Sequence, residues 1–140
     1  MRHAIARPLL ALLLLVACST AQQPPPQYTP PVAVALPDTP AGVQLAWVIG
    51  IINEQRTPND AELREHFDDR LMEERGRIDS VRRIFTTIGV IAPIVPTDVE
   101  RRPGALSARA EGNGGIVEIA VAVERRTGRI SDLSFRPLRS

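Results

Sequence analysis

Apolar positions divide this chain into helical and extended stretches. Between Thr39 and Met72 lies the most apolar run outside the N-terminus, interrupted by two Thr-Pro steps. Leu45, Val48, Ile49 and Ile52 recur at three- and four-residue spacing, the stripe of an α-helix. Val43, Trp47 and Ile51 widen the stripe until little of the cylinder is polar, so this helix, from about Pro40 to Glu54, is expected to be buried on most sides. Thr39 can cap its first turn, and Pro40 gives up no hydrogen bond there. The run from Val43 to Ile52 is shorter than the roughly 20 residues a bilayer requires, which makes it a core helix or, alternatively, a partner-binding one. Thr57-Pro58, with Asp60 three residues after Thr57, repeats the signal. It predicts a more polar helix from Pro58 to about Phe67, with Ala61, Leu63 and Phe67 facing inward.

The charged stretch 68–76 reads as an exposed turn whose Leu71 and Met72 touch the core. Ile78, Val81, Ile84, Phe85 and Ile88 then predict a third helix, with Gly89 as its C-cap. Beyond Gly89 the pattern shortens to the period of strands. Ile91 to Val95 reads as a short edge strand because of Pro93. Leu106 to Glu111 reads as a strand of small residues, and Ile116 to Glu124 is the strongest strand. In it Val117, Ile119, Val121 and Val123 alternate onto one face, leaving Glu118 and Glu124 on the other. Turns fall at Arg102-Pro103-Gly104, at Gly112 to Gly115 and at Thr127-Gly128. The uneven spacing of Ile130, Leu133 and Phe135 predicts a bulge in the last strand. The fold class is therefore α+β, with about three N-terminal helices packed on an antiparallel sheet.

The first 37 residues belong to neither pattern. Arg2 and Arg7 precede the apolar run Leu9 to Ala17, the arrangement of an export signal. Its end, Leu15-Val16-Ala17-Cys18, resembles the bacterial lipobox. That resemblance implies cleavage after Ala17, diacylglycerol on Cys18 and an extracytoplasmic protein held to the membrane by its lipid. Two acyl chains suffice for stable anchoring. Residues 18–37 are Gln- and Pro-rich and predict an extended tether of up to about 60 Å, at ~3.1 Å per residue. A proline-motif ligand is the alternative reading of that segment. Residues 38–140 then form one domain.

Composition narrows the chemistry. A net charge of +1 gives no electrostatic case for nucleic acid. Every basic residue is Arg, which rules out any mechanism built on a lysine. Cys18 is the only cysteine, and His66 the only histidine after the leader, so no Cys/His metal cluster or other cofactor site is expected. Arg75, Arg77, Arg82 and Arg83 make a small basic patch, read as a solvated helix face rather than an anion or headgroup site.

The order of elements resembles the small N-terminal domain of LpqF-type lipoproteins and of a related protein from the clavulanic-acid cluster. The matching residues are Thr39-Pro40-Ala41-Gly42, Gln44-Leu45 and Trp47, then Leu63 to Phe67, then Gly128-Arg129-Ile130, Leu133, Phe135 and Pro137. The resemblance implies an NTF2-like, steroid-isomerase-like cone that can enclose an apolar pocket. In those proteins the domain precedes a β-lactamase-like serine hydrolase. Here the chain ends at Ser140, so no hydrolase activity is expected from it, and the only tyrosine, Tyr28, sits in the tether, away from any isomerase site.

Three candidate sites follow. His66, beside Asp68 and Asp69, could be a general base, though a surface or half-buried histidine is the simpler reading. Glu118 and Glu124 could form a carboxylate pair, but even spacing arises on any strand. Trp47, Val121 and Phe135 could line a small ligand pocket, or pack as core. The sequence favours a non-enzymatic, lipid-anchored envelope lipoprotein that binds or scaffolds a protein partner, such a hydrolase being the candidate the resemblance implies. The alternative is a carrier of a small apolar ligand or lipid.

Overall fold

The computed structural model describes residues 29–139. Four helices come first: α1 (Pro40–Asn53), α2 (Asp60–His66), α3 (Asp69–Glu73) and α4 (Arg75–Ile88). Four strands follow: β1 (Val95–Arg102), β2 (Ala105–Gly112), β3 (Gly115–Val123) and β4 (Ile130–Leu138). The strands make one antiparallel meander in chain order, an open sheet that does not close on itself. The class is α+β, as the sequence predicts. The signal region, Cys18 and Tyr28 lie outside the described residues. Among the described residues no helix is long and apolar enough to cross a membrane.

α1 begins as expected: Thr39 Oγ1 accepts from the Gly42 N–H at 3.1 Å, with Pro40 in the first turn. Leu45, Val48, Ile49, Ile51 and Ile52 are buried, but Val43 is 55% exposed, so the apolar cylinder keeps one wet side. The helix ends in a Schellman arrangement, with Gln55 at φ 53° donating to Ile52 O and the Arg56 N–H to Ile51 O.

α2 departs from its predicted start. Asn59 is the cap: its Oδ1 accepts from the Ala61 and Glu62 N–H groups, while the Glu62 carboxylate accepts from the Asn59 N–H. This reciprocal box satisfies two orphan donors at once, so the helix starts at Asp60 and the Thr57 cap is not used. The rotation leaves Ala61 exposed, with Leu63 and Phe67 fully buried. The predicted turn at 68–76 contains α3, because Asp68 Oδ1 caps the Leu71 N–H at 2.8 Å. α4 starts at Arg75, earlier than its apolar stripe.

The predicted strand Ile91 to Val95 is absent. A 3-10 turn, Gly89–Ile91, leads through a cis Ala92–Pro93 bond to β1. The Asn53 side chain takes the place of a strand partner for Ile94: its Nδ2 donates to Ile94 O at 3.0 Å and its Oδ1 accepts from the Ile94 N–H at 2.7 Å. On β2 and β3 the inner face carries Leu106, Ala108, Ala110, Val117, Ile119 and Val121, all buried, and α1 packs over it. The predicted bulge is present, with Ser131 the extra residue where Ala122 pairs Asp132 and Val123 pairs Ile130. On the outer face Asp98, Arg109, Glu118 and Arg136 form a row of alternating charge across all four strands. Residues 29–37 form no helix or strand. Val34 donates to Pro96 O at 2.7 Å and Leu36 packs on the core, so the end of the Pro-rich segment lies along β1.

Candidate functional site

His66 ends α2 and stacks on Trp47 of α1, with ring centroids 3.9 Å apart and planes 13° from parallel. Gln44, one turn before Trp47, bridges to the β3–β4 connection. Its Nε2 donates to Gly128 O at 3.1 Å, which turns its Oε1 toward His66 Nδ1 at 2.9 Å. The bond to Oε1 makes Nδ1 the protonated nitrogen of the neutral ring. Beside it, Arg129 donates to Arg64 O at 2.6 Å and pairs with Asp69 at 2.9 Å, while the Asp68 N–H donates to Ile130 O. Gln44, Trp47, His66, Gly128 and Arg129 thus join α1, α2 and the start of β4. These five residues all belong to the sequence stretches that carry the family resemblance, and together they act as a latch.

Burial lowers the His66 pKa below its ordinary 6.5, although Glu65 and Glu62 pull it upward. The sign of the consequence is fixed. As pH falls from 6.5 toward the lowered folded value, the unfolded chain takes the proton first and folded stability drops. Urea midpoints should therefore fall between about pH 7 and pH 5 in the wild type, and fall less in His66→Gln. Equal slopes in the two proteins would show that His66 is not the titrating group. At lower pH Glu62 and Glu124 contribute in the same direction. Their carboxylates are held below the ordinary 4.5 chiefly by hydrogen bonds, from Arg56 to Glu62 and from the Arg126 N–H to Glu124.

The structure does not unite the two strand carboxylates. Glu118 pairs with Arg136 on the outer face. Glu124 folds back onto its own turn and accepts the Arg126 and Thr127 N–H groups at 3.0 and 2.7 Å. The α4 arginines whose side chains are described are engaged too: Arg77 pairs with Asp132 at 2.5 Å, Arg82 with Asp60 and Asp79, and Arg83 donates to Ser80. Among the described residues no group of three or more His, Cys, Asp and Glu gathers as a metal site.

Trp47, Val121 and Phe135 all contribute to the interior. Val121 is fully buried, and Trp47 meets Phe85 edge-on at 6.1 Å, as Phe85 meets Phe135 at 6.0 Å. A cavity of about 330 Å³ opens elsewhere, between the start of α1 and the two hairpin ends at that end of the sheet. Ala41, Leu106 and Val123 give it an apolar floor, and Arg101, Arg102 and Arg125 stand at its rim. The sequence carries a signal for it. In a meander the β1–β2 and β3–β4 connections come to the same end of the sheet, and an Arg-Arg doublet stands at each, Arg101-Arg102 closing β1 and Arg125-Arg126 within the β3–β4 connection.

A family model described as "ORF 12 gene product N-terminal" matches residues 36–130. The chain belongs to this family. The match spans the latch and the helical layer and ends at the first residue of β4. No curated protein matches the chain.

Proposed function

We propose that this member of the ORF 12 gene product N-terminal family is a lipid-anchored envelope protein that works as a binding module rather than a catalyst. The observation that carries the binding half is the cavity at the start of α1: it is apolar below and open above, whereas His66, Glu118 and Glu124 are committed to contacts that hold the fold. Its volume lies near the lower end of the roughly 300–1,000 Å³ of small-ligand sites. We place the ligand there rather than among Trp47, Val121 and Phe135, where Phe85 packs edge-on against both rings. Helices laid on one face of an antiparallel meander, with a hollow at one end of its strands, are the features that favour an NTF2-like cone. The proposed protein partner, such as a β-lactamase-like hydrolase, rests on the sequence resemblance to LpqF-type lipoproteins alone.

The anchoring half rests on the Leu15-Val16-Ala17-Cys18 sequence. Cys18→Ala is expected to move the protein out of the membrane fraction or to leave it as an unprocessed precursor, read by fractionation and intact mass. Normal processing together with unchanged membrane association would contradict a lipidated Cys18.

A further inference from the structure

We propose that the cavity takes a single-chain amphiphilic anion: one unbranched hydrocarbon chain between Ala41, Leu106 and Val123, with a monoanionic head between Arg101 and Arg125. The inference rests on the binding reading above and specifies the ligand for that same cavity. Three observations lead to it.

The first is the floor. Leu106 and Ala41 are 2% and 6% exposed, and their side chains offer a ligand no hydrogen-bonding group. A polar heterocycle would lose its water there without replacement, whereas a hydrocarbon chain loses nothing. The second is size. About 330 Å³, near the lower end for small-ligand sites, suits one short chain.

The third is the rim. Arg102 is held by Glu100 at 2.9 Å, and the Glu124 carboxylate is turned into its own connection by two backbone N–H groups. Arg101 and Arg125, by contrast, have no ion-pair partner among the described residues, and both are exposed. Arg101 pairs with Leu106 across the β1–β2 ladder, so it stands at the inner-face register directly beside the cavity floor. Guanidiniums bind a carboxylate with charge-assisted, often bidentate hydrogen bonds. An alkyl chain below two uncommitted guanidiniums matches a medium-chain carboxylate in both shape and charge.

The test is equilibrium dialysis of the full chain carrying Cys18→Ala against radiolabelled decanoate, decanol and acetate. Decanoate should bind tightest, acetate should not bind measurably, and decanoate binding should weaken with added salt. Reversing both rim charges, Arg101→Glu with Arg125→Glu, should weaken decanoate by at least about tenfold and leave decanol within about twofold. The neutral pair Arg101→Gln with Arg125→Gln should fall between, which keeps the result readable if charge reversal disturbs folding. Arg83→Glu on α4 should change nothing. If decanol binds but decanoate ignores both rim pairs, the anionic head is wrong and the binding reading stands. If neither ligand binds, both fail. Equal loss from the rim pairs and Arg83→Glu would mean non-specific attraction and would overturn the site.

Discussion

Phe67→Ala is expected to destabilise the fold by roughly 3–5 kcal/mol. Phe67 is fully buried and sits where the helical layer meets the sheet: its backbone forms a parallel bridge with Ile130, and the next N–H, that of Asp68, donates to Ile130 O at 2.9 Å. Its ring meets Trp47 edge-on at 6.0 Å, so truncation opens a hole directly beneath the Trp47–His66 stack. The latch around Gln44 and Gly128 resists collapse into that hole, which keeps the cost at the upper end of the range. Phe67→Leu retains most of the volume and should cost less than half as much. A urea-denaturation difference below about 1 kcal/mol for Phe67→Ala would mean that the two layers are not joined at this point.

Gly112→Ala is expected to cost about 1–3 kcal/mol for the opposite reason, too little room. A Cβ on Gly112 would stand 2.1 Å from Ile91 O and 2.9 Å from Pro93 O, and both are backbone atoms that cannot swing aside. The same loop is fixed from the other side: the Asn113 N–H donates to Ile91 O at 2.8 Å, and the Asn113 side chain to Ala92 O at 2.7 Å. Methyl addition therefore separates the β2–β3 hairpin from the connection between α4 and β1. Gly50 is the contrast, since a Cβ there meets nothing within 4 Å. Gly50→Ala lies inside α1 and should stabilise by roughly 0.5–1 kcal/mol. The two alanines should thus shift the thermal midpoint in opposite directions. Shifts of the same sign would contradict the close approach at Gly112.

Why α1, β2, β3 and the bulge at Ser131 were legible in the sequence, and β1 was not, comes down to side-chain pattern. Leu45, Val48 and Ile52, or Val117, Ile119 and Val121, announce their faces because those faces are buried completely. β1 is an edge strand of sequence VPTDVERR in which no residue is fully buried, so almost no apolar alternation marks it. The strand expected at Ile91 to Val95 failed because the apolar residues there are anchored by a side chain distant in sequence, Asn53. The cap of α2 was a local competition that the Asn59–Glu62 pair won over Thr57–Asp60 by satisfying two donors. For the proposed site, the sequence reading named the interior residues Trp47, Val121 and Phe135 and not the hairpin end of the sheet. Arg101 and Arg125 lie 24 positions apart in the numbering, and only the meander brings their two connections side by side.

The most direct test of the account is a methyl-resolved NMR titration of the full chain with decanol, a neutral ligand that isolates the apolar half of the site. Binding at that end of the sheet predicts that the methyl signals of Ala41, Leu106 and Val123 shift together and saturate, with a smaller shift at Val121, the cross-strand partner of Leu106, while the Val117 methyls and the Trp47 indole stay in place. Shifts centred on Trp47 and Val117, or no saturable shift anywhere, would contradict it.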